Sequence, residues 1–382
     1  MKSFARKALI PFLSLLCLGA VITSFVLSNQ LRQATREVKK IAVDPGVWRA
    51  KLEKEPPAWM LKQIRADLAV YQGGITKEIL DQAFRGKRIG MFHLVRVQIA
   101  DGHIAVAHDA NALYSRHFRG LLGFIQTLNR LVSLPNVDFI VSLEDGFSDN
   151  PQIGPCFVFA KKSSVDDLIL IPDIKALAGY TELRRQIPEA NRRYPWEKKV
   201  AKGFWRGSST GGYSTLSNWH LLARARLVLL SLAHPQKLDA RFHQIVQADP
   251  EVPPLLKSKG LTSKSVDRPS HLQYKYLVDV DGNSCSFERY FWLLLSNSLV
   301  IKQETPNIQW YYGGLEPYRH YLPVKEDLSD LFDQISWAQG NDQEARQMAE
   351  NATRFVEENL TAEDTLLYFY SLLKEYAKLQ VL

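Results

Sequence analysis

The sequence contains few cysteines, and their positions argue against a fold built on disulfides. Only three occur in the 382 residues, at Cys17, Cys156 and Cys285. They are too far apart for a disulfide framework or for the paired-cysteine spacing of a zinc site. We therefore expect the globular part to work in a reducing compartment or without covalent crosslinks.

Long basic runs and nucleic-acid-binding motifs are also absent. The net charge of +8 nevertheless indicates an anionic partner. A nucleic acid, an acidic membrane surface and a nucleotide-sugar diphosphate would all suit that charge, but without a basic run we do not expect nucleic acid. A content of 46% apolar and 23% charged residues is that of an ordinary globular chain, and its length suits about two domains.

The N-terminal part contains one long uncharged apolar run, residues 8–27. Its length is about that needed to cross the hydrocarbon core of a membrane. The apolar region of a cleaved signal peptide is usually shorter, and no clear cleavage site follows. We therefore predict an uncleaved signal anchor, a transmembrane helix within residues 1–28, with a cleaved signal peptide as the alternative. Basic residues on both sides leave its orientation open.

Residues 29–90 have the mixed helical spacing of a stem, and its tryptophans, Trp48 and Trp59, are expected to pack on the following body. Beyond residue 91, alternating apolar residues on both sides of Asp101-Gly102 predict a β-hairpin. A helix is predicted next, over Tyr114–Leu134.

An acidic turn follows the next predicted strand, Val137–Leu143. Open α/β sheets bind their ligands at the carboxyl ends of strands, where Glu144 and Asp145 would lie. A carboxylate there could take the proton from an attacking hydroxyl group, although the local pattern alone slightly favours a solvated acidic turn. Asp173 also follows a short predicted strand, and a strand-terminating turn would explain its position.

A glycine- and serine-rich loop begins at Arg206-Gly207-Ser208. Glycines let backbone amides approach a diphosphate closely, and an arginine can hold two phosphate oxygens at once. Such turns are also common without a ligand. The following apolar helix contains Arg224 and Arg226, whose charged ends we expect to reach solvent.

Residues 274–303 have the pattern of a βαβ unit. Its predicted elements are a strand at Tyr276–Val280, a turn at Asp281–Ser284, a helix at Ser286–Leu295 and a strand at Ser298–Lys302. Such a unit has parallel strands, and the amides at the start of its helix can bind a phosphate. The same turn residues also serve as ordinary helix caps.

Several of these stretches together resemble the CAP10-type glycosyltransferases, a family that includes protein O-glucosyltransferases, fungal capsule proteins and bacterial lipopolysaccharide-modifying enzymes. The matching motifs are KYLVDVDGN, SLVIKQE, GLEPYRHYLPVKEDLSDL and WEKKVAKGFWRGS. The resemblance implies an α/β fold of the GT-B type, with two Rossmann-like domains facing a cleft. Residues 91–195 would form the acceptor-side domain, and residues 196–382 would form the nucleotide-sugar domain with its closing helices.

The resemblance also implies a reaction. It is an inverting, metal-independent transfer of a glucose- or xylose-type sugar from a UDP-sugar to a hydroxyl group of a glycan, lipopolysaccharide or protein. Asp145 would be the catalytic base; because relatives commonly have a proline soon after this aspartate, Glu144 and Asp149 stay open as alternatives. The implied nucleotide-sugar contacts are Arg206, Gly207, Ser208, Gly282, Asn283, Ser284, Ser286, Phe287 and Arg289. The resemblance also implies a loop near Asp173 that faces the acceptor or the donor.

Two other functions stay open at this point. Asp279 and Asp281 form a D-x-D pair, which in a different class of transferases holds a divalent metal. A membrane-anchored module that binds anionic glycans without turnover is the second alternative. The low cysteine content favours a bacterial inner-membrane protein with a cytoplasmic catalytic domain over one in the secretory-pathway lumen.

Overall fold

The computed structural model describes residues 44–85, 93–108, 115–147 and 151–381. The predicted signal anchor, residues 1–28, lies outside these ranges. None of the helices inside them combines the length and the apolarity that a membrane crossing requires.

Strands and helices alternate along most of the described chain. The strands are β1 Ile75–Thr76, β2 Leu94–Ala100, β3 His103–His108, β4 Val137–Ser142, β5 Cys156–Val158, β6 Lys161–Lys162, β7 Leu168–Leu170, β8 Val200–Ser208, β9 Leu238–Gln244, β10 Tyr274–Asp279, β11 Leu299–Gln303, β12 Asn307–Ile308, β13 Leu322–Val324 and β14 Gln380–Val381. The helices are α1 Pro45–Leu52, α2 Ala58–Leu68, α3 Lys77–Arg85, α4 Arg116–Leu131, α5 Ile174–Leu177, α6 Thr181–Arg193, α7 Ala223–Ala233, α8 Val252–Ser258, α9 Arg268–His271, α10 Glu288–Leu294, α11 Leu331–Gly340, α12 Asp342–Asn359 and α13 Ala362–Leu379.

The first α/β unit is built on a five-stranded sheet in the order β3-β2-β4-β5-β7. Strands β2 and β3 form the hairpin predicted from Asp101-Gly102, and β2 is also antiparallel to β4. Strands β4, β5 and β7 run parallel to one another. Every residue of β4 is buried, as expected for a strand covered on both faces.

The second α/β unit is a five-stranded sheet in the order β13-β11-β10-β8-β9, and all of its strands are parallel. Strand β10, helix α10 and strand β11 confirm the predicted βαβ unit. Parallel order brings the carboxyl ends of β8, β9 and β10 to one edge of this sheet, although their sequences lie far apart. The Rossmann-like character predicted for both halves is therefore present.

The last helix, α13, packs against the first sheet. Phe369 contacts Phe157 edge to face, with ring centroids 6.4 Å apart, and the Tyr376 hydroxyl donates to the backbone oxygen of Asp138 at 3.3 Å. A capping box formed by Thr361 and Asp364 starts this helix, as its sequence indicates. The chain thus returns to the first unit at its end, while the division predicted at residue 195 stays a prediction.

The stem helices pack on the body as predicted from their aromatic residues. Trp48 is buried, and the Trp59 ring lies 5.8 Å from that of Trp310 and 6.0 Å from that of Phe355. At the other end of the stem, β1 pairs in parallel with β14. Helices α1 and α2 are therefore part of the folded core.

Candidate active site

A cavity of about 680 Å³ lies beside the carboxyl ends of the parallel strands of the second unit. Five of the residues predicted to contact a nucleotide sugar line it: Arg206, Gly207, Ser208, Ser286 and Arg289. Sequence reasoning missed other lining residues, among which are two further arginines and two histidines: Arg224, Arg268, His243 and His271. A volume of this size is typical of pockets for small organic ligands.

Arg206 is held by an ion pair to the neighbouring strand. Its Nη2 donates to both carboxylate oxygens of Asp239, at 2.8 and 3.0 Å, and its Nη1 donates to the Asp239 backbone oxygen at 3.0 Å. The guanidinium carbon also lies 4.5 Å from the centre of the Phe204 ring. Much of the donor capacity of Arg206 is therefore already used.

Arg289 approaches the cavity from α10. Its Nη1 donates to the backbone oxygen of Arg206 at 2.8 Å, and its Nε lies 3.6 Å from an oxygen of Asp279. Burial lowers the pKa of Arg289 to about 10, with Asp279 acting in the opposite direction. The side chain therefore stays charged at neutral pH.

Arg224 does not reach solvent, so the expectation drawn from its apolar helix is wrong. It is 9% exposed, and its guanidinium donates to the Asp281 backbone oxygen at 3.0 Å and to the Thr210 hydroxyl at 2.6 Å. Arg226, two residues further along the helix, is partly exposed, and its guanidinium donates to the backbone oxygens of Asp327 and Leu221. Arg224 sits where two loops meet, and those loops supply acceptors that solvent would otherwise provide.

The two histidines of the cavity contribute little positive charge. Burial lowers the pKa of His271 to about 3, and its ring packs edge-on against Phe204 and Trp292. Partial burial and the nearby charge of Arg289 lower the pKa of His243 as well. The positive potential of the cavity therefore comes from its arginines.

The turn that follows β10 does not lie on the cavity wall. The Gly282 amide donates to the backbone oxygen of Ser284 at 3.0 Å, and the Asn283 side-chain oxygen accepts from the Gly211 amide at 3.0 Å. Phe287 precedes α10 with a φ of 47°, a left-handed conformation that is rare for an aromatic residue. The helix starts at Glu288, two residues later than predicted. The predicted phosphate cradle at residues 282–284 is thus engaged in internal contacts.

Ser284 connects the two α/β units. Its hydroxyl donates to the backbone oxygen of Asp145 at 2.9 Å. Gly146 lies so close that a Cβ there would be 2.5 Å from the Ser284 Cβ. Asp145 is exposed and therefore free to meet a substrate, whereas Glu144 lies 3.6 Å from a ring nitrogen of His93. Asp149 falls outside the described ranges.

Asp173 caps a helix and is buried. Its carboxylate accepts from the amides of Lys175 and Ala176, at 2.7 and 3.3 Å, and from the Tyr180 hydroxyl at 2.9 Å. Burial raises the pKa of Asp173 against these hydrogen bonds. A carboxylate with this many internal donors has a structural role that accounts for its position, and it does not line the cavity.

The D-x-D carboxylates share a buried ammonium group. Lys302 Nζ lies 3.5 Å from an oxygen of Asp279 and 3.4 Å from an oxygen of Asp281. Asp281 also accepts from the hydroxyl of Thr305 and the amide of Asn307, at 2.5 and 3.1 Å. Burial alone would lower the pKa of Lys302, but the two aspartates outweigh it and raise the pKa. A lysine therefore occupies the position where a divalent cation would have to bind.

The sequence is similar to curated proteins that transfer glucose. It is 28% identical to protein O-glucosyltransferase 2 of Danio rerio over 334 residues, which is 84% of this chain and 62% of the relative. It is 32% identical to protein O-glucosyltransferase 3 of Rattus norvegicus over 273 residues, which is 67% of this chain and 49% of the relative. The chain thus spans about half to two thirds of the length of these relatives.

Among solved structures, Anabaena Alr3699/HepE in complex with UDP-glucose aligns with a TM-score of 0.34 and 13% identity, over 56% of this chain and 57% of that one. The sequence profile of glycosyl transferase family 90 matches residues 53–382. Because that match covers most of the sequence, the chain belongs to glycosyl transferase family 90.

Proposed function

We propose that this protein transfers a sugar of the glucose or xylose type from a UDP-sugar to a hydroxyl group, with inversion and without a metal ion. Family membership supports glycosyl transfer. The observation that carries the donor assignment is the concentration of four arginines, Arg206, Arg224, Arg268 and Arg289, around one cavity at the carboxyl ends of parallel strands. The names of the curated relatives suggest a protein acceptor, and a glycan or lipopolysaccharide is the alternative.

The charges of the cavity suit a nucleotide diphosphate. Arg206 faces Asp239 at 2.8 Å, Arg268 faces Glu288 at 2.5 Å and Arg289 faces Asp279 at 3.6 Å, whereas no carboxylate among the described residues forms an ion pair with Arg224. The side chains that line the cavity include two carboxylates, Asp267 and Glu288, beside the four arginines, so the cavity wall keeps an excess of positive charge. Binding of the UDP diphosphate would neutralise that excess.

Asp145 is the proposed general base. The acceptor hydroxyl would give its proton to the Asp145 carboxylate while its oxygen forms a bond to the anomeric carbon of the sugar. The bond between that carbon and the UDP oxygen breaks in the same step, so the configuration inverts. The negative charge left on UDP would be stabilised by the arginines of the second unit. This division of roles between two facing α/β units corresponds to the GT-B arrangement.

The metal-dependent alternative is less well supported. A metal at Asp279 and Asp281 would have to displace the Lys302 ammonium from both carboxylates. Both aspartates also lie in or next to β10 and are almost fully buried, at 0% and 6% exposure. The proposed mechanism therefore includes no metal ion at Asp279 and Asp281.

Release of UDP from a panel of UDP-sugars by the full chain tests the proposal. We expect release from one donor class, unchanged by excess chelator, and strongly reduced in Arg289→Met. Arg226→Met is the matched control, because Arg226 is partly exposed and does not line the cavity. Release that requires a divalent cation would contradict the proposal. Binding of glycans without release from any donor in the presence of acceptor would favour the non-catalytic alternative.

We also propose that the N-terminal apolar segment anchors the protein in a membrane, in bacteria with the catalytic part on the cytoplasmic side. The secretory-pathway lumen is the alternative. Cys156 and Cys285 are buried and unpaired, which suits a reducing compartment. Protease protection of the C-terminus in sealed membrane vesicles would distinguish the two orientations.

A further inference from the structure

Arg224 joins two loops that are distant in sequence. From one side it contacts the end of β8: its Nη1 donates to the Ser208 backbone oxygen at 3.2 Å and to the Thr210 hydroxyl at 2.6 Å. From the other side it contacts the turn after β10: its Nε donates to the backbone oxygens of Val280 and Asp281, at 3.3 and 3.0 Å. One side chain thus links the end of β8, where Ser208 lines the cavity, to the turn after β10, which does not line it.

The glycine at position 282 makes room for this side chain. A Cβ on Gly282 would lie 2.8 Å from the Thr210 hydroxyl oxygen and 3.0 Å from Arg224 Nη2. Its φ lies outside the left-handed range, so backbone conformation does not explain the glycine. Close packing against Arg224 does explain it.

The charge of Arg224 is the least compensated among the cavity arginines. The other three each have a carboxylate within ion-pair distance, on Asp239, Glu288 and Asp279. In the part of the chain that the structure describes, no ion pair involves Arg224. Burial lowers the pKa of Arg224, although Asp279 and Asp281 act against this from further away. A buried guanidinium that has only neutral acceptors is a site where an added anion is stabilising.

The guanidinium groups of Arg224 and Arg289 both lie near the ring of Trp205, which is fully buried. The guanidinium carbon of Arg224 is 5.8 Å from the ring centre, and that of Arg289 is 5.7 Å from it. Both distances are within the range of cation–π attraction. The indole therefore helps to hold two like charges at one wall of the cavity.

We propose that Arg224 is a positioning residue whose missing counter-charge is supplied by the diphosphate of the donor. With the anion bound, Arg224 holds the Ser208–Thr210 loop and the Val280–Gly282 segment in a fixed relative position. Ser284, which follows this segment, donates a hydrogen bond to the backbone oxygen of Asp145. The inference rests on the proposed function, because it takes a sugar nucleotide as the ligand.

Calorimetric titration of UDP, UMP and uridine into the full chain tests the inference, with the variants Arg224→Met and Arg224→Lys and the control Arg226→Met, which lies outside the cavity lining. We expect Arg224→Met to weaken UDP binding by about 10- to 100-fold, the loss of a charge-assisted interaction, and to leave uridine binding unchanged. The affinity for UMP should fall by a smaller factor than the affinity for UDP. The UDP affinity of Arg224→Met should also depend less on salt. A residue with only a structural role would weaken UDP and uridine equally.

Two further variants keep the inference testable if Arg224→Met does not fold. Arg224→Lys keeps the charge but not the planar fork, so we expect near-parental UDP affinity with a kcat reduced by about tenfold or more. Gly282→Ala should repeat the UDP-selective loss, because its methyl group displaces Arg224. Parental UDP binding and kcat in both variants would overturn the inference while leaving the proposed function intact. Failure of the parent itself to bind UDP would overturn the proposed function.

Discussion

Replacing Lys302 with methionine tests the buried network beneath the candidate site. Lys302 is 6% exposed, and its ammonium lies 3.5 and 3.4 Å from the carboxylates of Asp279 and Asp281. It also lies 4.9 Å from the centre of the Tyr290 ring. Methionine keeps most of the length and volume of the side chain and removes only its charge and donors.

The expected cost follows from the two carboxylates left behind. Removing one partner of a buried ion pair costs about 3–5 kcal/mol, because the remaining charge is uncompensated. Asp281 keeps the hydroxyl of Thr305 and the amide of Asn307, and Asp279 keeps the hydroxyl of Ser286. We therefore expect the lower end of that range, about 3 kcal/mol of unfolding free energy at pH 8.

Urea unfolding at pH 8 measures this cost. Lys378→Met is the control: Lys378 is 67% exposed and pairs with Glu375 on the helix surface, so its loss should cost about 1 kcal/mol or less. Equal unfolding free energies for the two variants at pH 8 would refute the reasoning.

Three further outcomes are expected. Gly146→Ala should cost about 1–3 kcal/mol by urea unfolding, because its φ is +154° and the new Cβ would meet Ser284, and adding Ser284→Gly should recover part of the loss. Burial lowers the pKa of Lys199 to about 7, below its value in the unfolded chain, so native stability should rise between about pH 7 and pH 10 relative to Lys199→Met; equal slopes would contradict this. Thr361→Ala should lower the unfolding free energy by about 1 kcal/mol through loss of the α13 cap, whereas Thr361→Ser, which keeps the capping hydroxyl, should change it less.

The elements with local sequence signals could be predicted. The βαβ unit was recognisable because two apolar runs and a glycine turn occur within about thirty residues, and both strands run within two residues of their predicted ends. The Asp101-Gly102 hairpin and the capping box at Thr361 are local patterns as well. In each case the residues that determine the structure are neighbours in the sequence.

The burial and the hydrogen-bond partners of Arg224 could not be predicted from the sequence, because only the folded sheet places those partners beside it. An arginine in an apolar helix is expected to extend to solvent, but the acceptors of Arg224 come from loops 14 to 16 and 56 to 57 residues away. The same holds for Arg206, whose carboxylate partner is 33 residues away on the adjacent strand. Strand order decides these pairings, and the local pattern does not contain it.

The turn after β10 is a different case. Gly282, Asn283 and Ser284 have the composition of an anion-binding turn, and the sequence alone leaves that interpretation level with an ordinary helix cap. In the structure Asn283 bonds to a residue 72 positions away and Ser284 to one 139 positions away. Long-range contacts thus use polar groups that local reasoning would leave for a ligand.

The most direct test of Asp145 as the general base compares turnover and UDP affinity in Asp145→Asn with those of the parent. Asparagine preserves the size of the side chain and the backbone oxygen that Ser284 contacts, but it cannot accept a proton. We predict a kcat lower by about 10²- to 10⁴-fold, with UDP affinity unchanged because Asp145 lies outside the arginine-lined cavity. Glu144→Gln, the neighbouring carboxylate, should keep parental turnover. Parental turnover in Asp145→Asn, or its loss in Glu144→Gln instead, would contradict the assignment of Asp145 as the base.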